Sequence, residues 1–255
     1  YLLPTFENSM PVANDILALK KHSPKAFSWQ DKAVEQIKKV QKSKLETKHG
    51  FFAVNMASTG CGKTFANAKI MRSLSDDGES LRYTLALGLR TLTLQTGDEY
   101  RKRVGLDESE LAVLIGSKSV TELHFQDRAL EQEVNEFGAV HSGSESAQPL
   151  LDEYIDYDCD IPEEELATVL IREKDRQFLF APVLTCTIDH IIAATETRRG
   201  GRYILPSLRL MSSDLVIDEI DDFTGSDLIA IGRLIHLAAM LGRKVMISSA
   251  TIPPD

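Results

Sequence analysis

The sequence predicts an α/β domain with a mostly parallel β-sheet and helices on both faces. Three observations predict it. Short β-rich apolar runs, at residues 51–54, 81–87, 111–115, 215–217 and 244–248, alternate with helical segments along the chain. That alternation favours parallel strands joined by crossover helices. A glycine-bearing stretch, Ala57-Ser58-Thr59-Gly60-Cys61-Gly62-Lys63-Thr64, lies between the first of these runs and a helical segment. An acidic pair, Asp218-Glu219, closes the run at 215–217. In sheets of this kind ligands gather at the carboxyl ends of the strands, where both stretches fall.

With 255 residues, 43% of them hydrophobic, the chain has room for one large α/β domain or two small ones. No apolar run approaches membrane-spanning length and no leader resembles a signal peptide, so no membrane partner is expected. The cysteines, Cys61, Cys159 and Cys186, form no metal-spaced pair, and a reducing, cytoplasmic location is the default expectation. The net charge of −9 argues superficially against a nucleic-acid partner. However, residues 127–165 carry 13 of the 38 acidic side chains and one of the 29 basic ones, leaving 25 against 28 elsewhere. A weakly basic body with an acidic insertion suits a nucleic-acid partner better than the total suggests, and it equally suits an ordinary enzyme.

Residues 1–26, with Pro4, Pro11 and Pro24, read as a lead-in from an upstream domain, with a helical candidate at 12–20. The first residue is Tyr, not Met, so an excised or processed piece is expected. Ser28 and Asp31 have the spacing of a capping box, opening a helix whose apolar stripe is Trp29, Ala33, Ile37 and Val40. For Trp29, core packing is the favoured role. The Gln30 amide can both donate to and accept from an adenine edge. A strand at 81–87 ends at Gly88 and enters a helix that runs to about Arg103, followed by a strand at 111–115 and a helix from about Val120. The acidic insertion, about 127–165, reads as part loop and part helix. Residues 178–181 and 183–187 then read as β-rich, meeting a helix near Ile188. The strand at 215–217 is followed by a helix with apolar positions at Leu228, Ile231, Leu234, Ile235 and Ala238. A last strand at 244–248 leads to Ser249-Ala250-Thr251.

Strand, glycine turn and helix in that order is the context of a phosphate-binding loop. The glycines let backbone N–H groups converge on phosphate oxygens, and the helix N-terminus adds partial positive charge. Lys63 is then placed to reach the β- and γ-phosphates and Thr64 to ligate Mg²⁺. The plain alternative is a glycine turn that caps a helix. The downstream acids weigh against it: Asp218, at a strand end, has the chemistry to hold Mg²⁺, and Glu219 to deprotonate an attacking water.

Taken together the motifs resemble the first RecA-like lobe of a superfamily 2 helicase, a P-loop fold. Phe27 and Gln30 match the Q-motif and Ala57 to Thr64 motif I, while Gly88 to Thr93 sit where motif Ia lies. Thr185 to Asp189 match motif Ib, Asp218 to Asp221 motif II, and Ser249-Ala250-Thr251 motif III. The resemblance implies ATP hydrolysis coupled to movement along a nucleic-acid strand. It implies a nucleotide site formed by Phe27, Gln30, Ser58, Thr59, Gly60, Cys61, Gly62, Lys63 and Thr64. It also implies strand contacts near Arg90, Thr91 and Thr187, and coupling through Ser249 and Thr251.

Thr187-Ile188-Asp189 and the stretch from Asp218 to Phe223 are further similar to the CRISPR-associated helicase–nuclease of type I systems, in its I-F branch. That similarity implies reeling in of single-stranded DNA for degradation. Its implied partners are a crRNA-guided surveillance complex, a second RecA-like lobe and an HD nuclease of the parent chain. No HD signature is present here, and motifs IV to VI with their arginine finger are missing. On this reading, residues 27–255 form the first lobe, incomplete alone. An RNA helicase lobe and a protein-docking module using the acidic segment are the competing readings.

Overall fold

The computed structural model describes residues 3–42, 50–115, 157, 166, 168–195, 201 and 203–251. The helix expected from Val120 and nearly all of the acidic insertion lie outside the described residues. Six strands form one sheet: β1 (Phe51–Met56), β2 (Tyr83–Leu87), β3 (Leu111–Leu114), β4 (Val183–Thr187), β5 (Asp214–Asp218) and β6 (Lys244–Ser249). Their order is β1-β6-β5-β2-β4-β3, and every neighbouring pair is parallel. The fold is therefore α/β, as the alternation of runs predicts.

The alternating pleat sends successive side chains to two apolar cores. On one face Tyr83, Leu85, Val216 and Met246 pack with Ala68, Met71 and Leu74 of helix α4 (Lys63–Leu74). Tyr100 and Val104 join them from a π-helical turn, Tyr100–Val104, that continues α5 (Arg90–Glu99). On the other face Leu184, Cys186, Leu215, Ile217 and Val245 meet Phe178, Leu210, Ile231 and Leu234. These last four belong to α6 (Glu173–Phe180), α8 (Ile204–Ser212) and α9 (Ser226–Met240). A short α7 (Asp189–Ile192) follows β4.

Three local expectations are corrected. The helix expected over 12–20 forms only at its end, as α2 (Leu17–Lys20), after α1 (Leu3–Asn8). Ala13 instead exchanges backbone hydrogen bonds of 2.9 and 3.0 Å with Leu81, which draws this stretch into extended backbone. Ser28 is helical, φ −59°, because a 3₁₀ turn, Lys25–Phe27, runs directly into α3 (Trp29–Lys42). No capping box forms there: Asp31 turns back to the Ser23 N–H, 2.9 Å, and to Lys69. The apolar residues 178–180 close α6 rather than forming a strand. Asp175 accepts from the Arg172 N–H at 3.0 Å to start that helix, and Pro182 follows its end.

Residues 10–19 pack on the sheet domain, with Met10, Ala13, Ile16 and Leu19 all buried. At the amino ends of the strands two arginines gather backbone carbonyls. Arg209, fully buried on α8, donates to Tyr83 O, Leu179 O, Ala181 O, Pro182 O and Thr84 Oγ1. Arg82 donates to Pro11 O, Leu179 O, Phe180 O, Ser212 O and Ser212 Oγ, tying the N-terminal stretch to the same end.

Candidate nucleotide site

Strand β1 delivers the loop Ala57 to Gly62 at its carboxyl end, and α4 begins at Lys63. Gly62 has φ +77°, a left-handed conformation that glycine adopts without strain. A Cβ there would lie 2.9 Å from Gln30 Nε2 and 3.2 Å from Phe27 Cδ1, so both of these side chains close against the loop. Gln30, 3% exposed, donates from Nε2 to Gly62 O at 3.1 Å and accepts from Ser23 Oγ at 2.8 Å. Trp29 donates from Nε1 to Cys61 O at 3.1 Å. Its role is thus more than the core packing expected from sequence. Ser58, Thr59 and Gly60 form an exposed crest, and Thr64 lies half-buried in the first turn of α4.

The acids meet this loop from β5. Lys63 is buried, and its Nζ donates to Glu219 Oε1 at 2.9 Å. Glu219 has φ 52° and ψ 52°, a conformation that a side chain with Cβ adopts at a cost of about 1–3 kcal/mol. The turn brings the Glu219 N–H onto Asp218 Oδ1, 3.0 Å away. Burial pushes the Asp218 carboxyl above its ordinary value; the Ser248 hydroxyl opposes that, Glu219 adds to it and Lys63 opposes it. Among the described residues no three His, Cys, Asp or Glu side chains gather as a metal cluster. The hard oxygens of Asp218 and Thr64 fit a Mg²⁺ ion of the kind that relies on phosphates for further ligands.

Three buried polar residues beneath the loop were not singled out from sequence. Asn67, one turn after Lys63 on α4, reaches Asp218 Oδ2 at 3.4 Å and Ser248 Oγ at 3.1 Å. Asn55 Nδ2 donates to Asn67 Oδ1 at 2.7 Å. The available signals were an asparagine inside the apolar run of β1 and another in the middle of a largely buried helix.

Ser249 and Thr251 both donate to Asp221, Oγ to Oδ1 at 2.6 Å and Oγ1 to Oδ2 at 2.9 Å. Led by the Ser249 bond, these hold the Asp221 carboxyl below its ordinary value. The residues expected near a nucleic-acid strand are placed unevenly. Arg90 opens α5, with its side chain outside the described residues, and Thr91 beside it is exposed. Thr187 is 2% exposed, with its Oγ1 and His190 Nδ1 2.9 Å apart, so its hydroxyl faces inward. A Cβ on Gly88 would meet Phe223 Cζ at 3.1 Å, so the turn after β2 packs against the loop after β5.

The parallel sheet, the glycine loop between β1 and α4, and the acids after β5 define a RecA-like P-loop domain. No family model matches the chain. The CRISPR-associated nuclease/helicase Cas3 subtype I-F/YPEST of Pectobacterium atrosepticum is 47% identical over 256 residues, covering 99% of this chain and 23% of that protein. Its Pseudomonas aeruginosa counterpart is 44% identical over 257 residues, with the same coverage. The resemblance to the type I-F helicase–nuclease thus extends over nearly the whole chain, which spans about a quarter of these relatives' length. Crystal structures of T. fusca Cas3-ADP and Cas3-ATP share the fold, with TM-scores of 0.61 and 0.59. Each is 18% identical, covering 98% of this chain and 24% of the solved one. No helix among the described residues is long and apolar enough to cross a membrane.

Proposed function

We propose that residues 27–255 are the ATP-binding first lobe of a DNA helicase motor, with residues 1–26 leading in from an upstream domain. The observation that carries this reading is the convergence of Lys63, Glu219 and Asp218 at the mouth of the glycine loop. Lys63 exchanges Glu219 for the β- and γ-phosphates as ATP enters, which frees the Glu219 carboxylate to take a proton from the attacking water. Asp218 and Thr64 hold Mg²⁺, which when bound neutralises charge developing on the phosphates. Phe27 and Gln30 close over the loop, and the second Gln30 N–H remains for an adenine edge. Ser58, Thr59, Gly60, Cys61 and Gly62 wrap the phosphates with backbone N–H groups, the Cys61 N–H being given up by Ser58 O, 3.2 Å away in this structure, as the anion enters.

The bonds from Ser249 and Thr251 to Asp221 give motif III a grip on motif II and so a route for coupling hydrolysis to strand movement. The DNA strand runs by the amino end of α5, near Arg90 and Thr91, with the buried Thr187 lying behind this surface at the end of β4. A second RecA-like lobe of the parent chain supplies the arginine finger, and an HD nuclease there degrades the reeled-in single strand. A crRNA-guided surveillance complex recruits the whole; the support for a CRISPR setting is that the relatives are named CRISPR-associated nuclease/helicases.

The test is steady-state ATP hydrolysis by the full-length protein, with and without single-stranded DNA or RNA. Stimulation by DNA is expected. Lys63→Ala should impair nucleotide binding, and Glu219→Gln should keep binding while lowering the rate by about 10²-fold or more. Undiminished turnover in Glu219→Gln removes it as the base, and stimulation by RNA alone favours an RNA helicase.

A further inference from the structure

We infer that Asn67 is a positioning residue that fixes the orientation of Asp218 for its metal, an inference that rests on the nucleotide-site reading above. Asn67 is fully buried in α4, four residues after Lys63 and therefore on the same helix face. A leucine would satisfy an apolar core at such a place. The amide instead ties four elements together: its own helix, β1 through Asn55, β5 through Asp218 and β6 through Ser248.

The orientation of the amide follows from the partners. An ionised carboxylate only accepts hydrogen bonds, so the Asn67 nitrogen must face Asp218. Its oxygen then faces Asn55, which must donate, as the 2.7 Å bond records. Asn55 is thereby the complementary partner of Asn67 in this orientation. The two oxygens of Asp218 have different donors, Oδ1 the Glu219 N–H and Oδ2 Asn67, and the Ser248 hydroxyl, itself bonded to Asn67, is a further donor to the carboxyl. A carboxylate otherwise turns readily about its terminal torsion, which is broad and two-fold. Held at both oxygens, it presents one plane to its ligand. The Asn67 bond is long, 3.4 Å, and the same nitrogen also serves Ser248 at 3.1 Å, so the hold on the carboxylate is a weak one.

The experiment measures the affinity of a fluorescent ADP analogue for the full-length protein, in Mg²⁺ and in EDTA. The ratio of the two affinities reports the metal's contribution without any turnover. Asn67→Leu should cut that ratio by about 10-fold or more, as loss of a partner behind a metal ligand does, while affinity in EDTA stays within about twofold. Asn55→Ala should lower the ratio in the same direction, and it decides the question if Asn67→Leu does not fold by circular dichroism. A folded variant with an unchanged ratio, or with equal losses in Mg²⁺ and EDTA, overturns the inference. Wild-type protein that binds no nucleotide in either condition overturns the nucleotide-site reading instead.

Discussion

Replacing Arg209 by methionine keeps most of the side-chain volume and removes five donors from a fully buried position. The cost follows from what each acceptor retains. Pro182 O still accepts from the Tyr83 N–H at 3.1 Å, Leu179 O from Arg82 at 2.7 Å, and Thr84 Oγ1 stays 3.1 Å from Ser213 Oγ. Tyr83 O, which Arg209 reaches at 3.0 Å, also lies in the parallel ladder with β4, where the Leu184 N–H faces it, so only the Ala181 carbonyl loses its donor outright. Leaving a buried acceptor unsatisfied costs about 1–3 kcal/mol, so one of them, with imperfect methionine packing, gives about 2–4 kcal/mol in all. For a domain of this size that is a fall of about 4–16 °C in melting temperature. Differential scanning calorimetry checks it, with Arg209→Lys as the comparison. A single ammonium cannot fan out to five acceptors, so lysine should recover only part of the loss. A methionine variant melting within about 2 °C of wild type would refute the accounting, because the Ala181 carbonyl would then be satisfied some other way.

Gly62→Ala should weaken nucleotide binding by about 10-fold or more, measured with a fluorescent analogue, since its Cβ meets Gln30 and Phe27 and its φ of +77° is strained for alanine. Asp221→Asn keeps one acceptor for Ser249 and Thr251, so ATP hydrolysis should persist while its stimulation by DNA falls; unchanged stimulation would remove the coupling role. Burial pushes the Asp31 carboxyl up, but bonds from Lys69 and the Ser23 N–H outweigh it and leave it at about 2, below the ordinary 3.8. A depressed folded value means stability present above pH 3.8 and lost as pH falls towards 2, on the order of 2 kcal/mol. Asp31→Asn should therefore flatten the acid limb of a urea-denaturation series.

What the sequence made legible was contiguous. The glycine loop, the acids after β5 and the serine–threonine pair after β6 each lie within a few residues, and the periodicities on either side place them at strand ends. What it hid was assembled from a distance. Asn67 meets Asp218 and Ser248 across separations of 151 and 181 residues, and nothing local marks a mid-helix asparagine as a bridge. Arg209 reads as an ordinary basic residue until β2, α6 and the turn before β4 converge on it. The misreading of 178–180 has a local cause: three consecutive apolar residues carry no period, so helix and strand look alike. The Arg172…Asp175 start and the Ala181-Pro182 stop were the better guides.

The two bonds from α3 to the glycine loop have a consequence for which way the loop's amides point. In a trans peptide the C=O and the next N–H project to opposite sides of one rigid plane. Trp29 pins the carbonyl of Cys61, and Gln30 that of Gly62. The N–H groups of Gly62 and Lys63, which share those planes, are therefore turned away from α3. Two of the loop's dipoles are thus aligned by a helix that lies more than thirty residues earlier in the chain. An anion arriving on the far side meets donors already facing it, and the reorientation that a free glycine turn would undergo has been completed in folding.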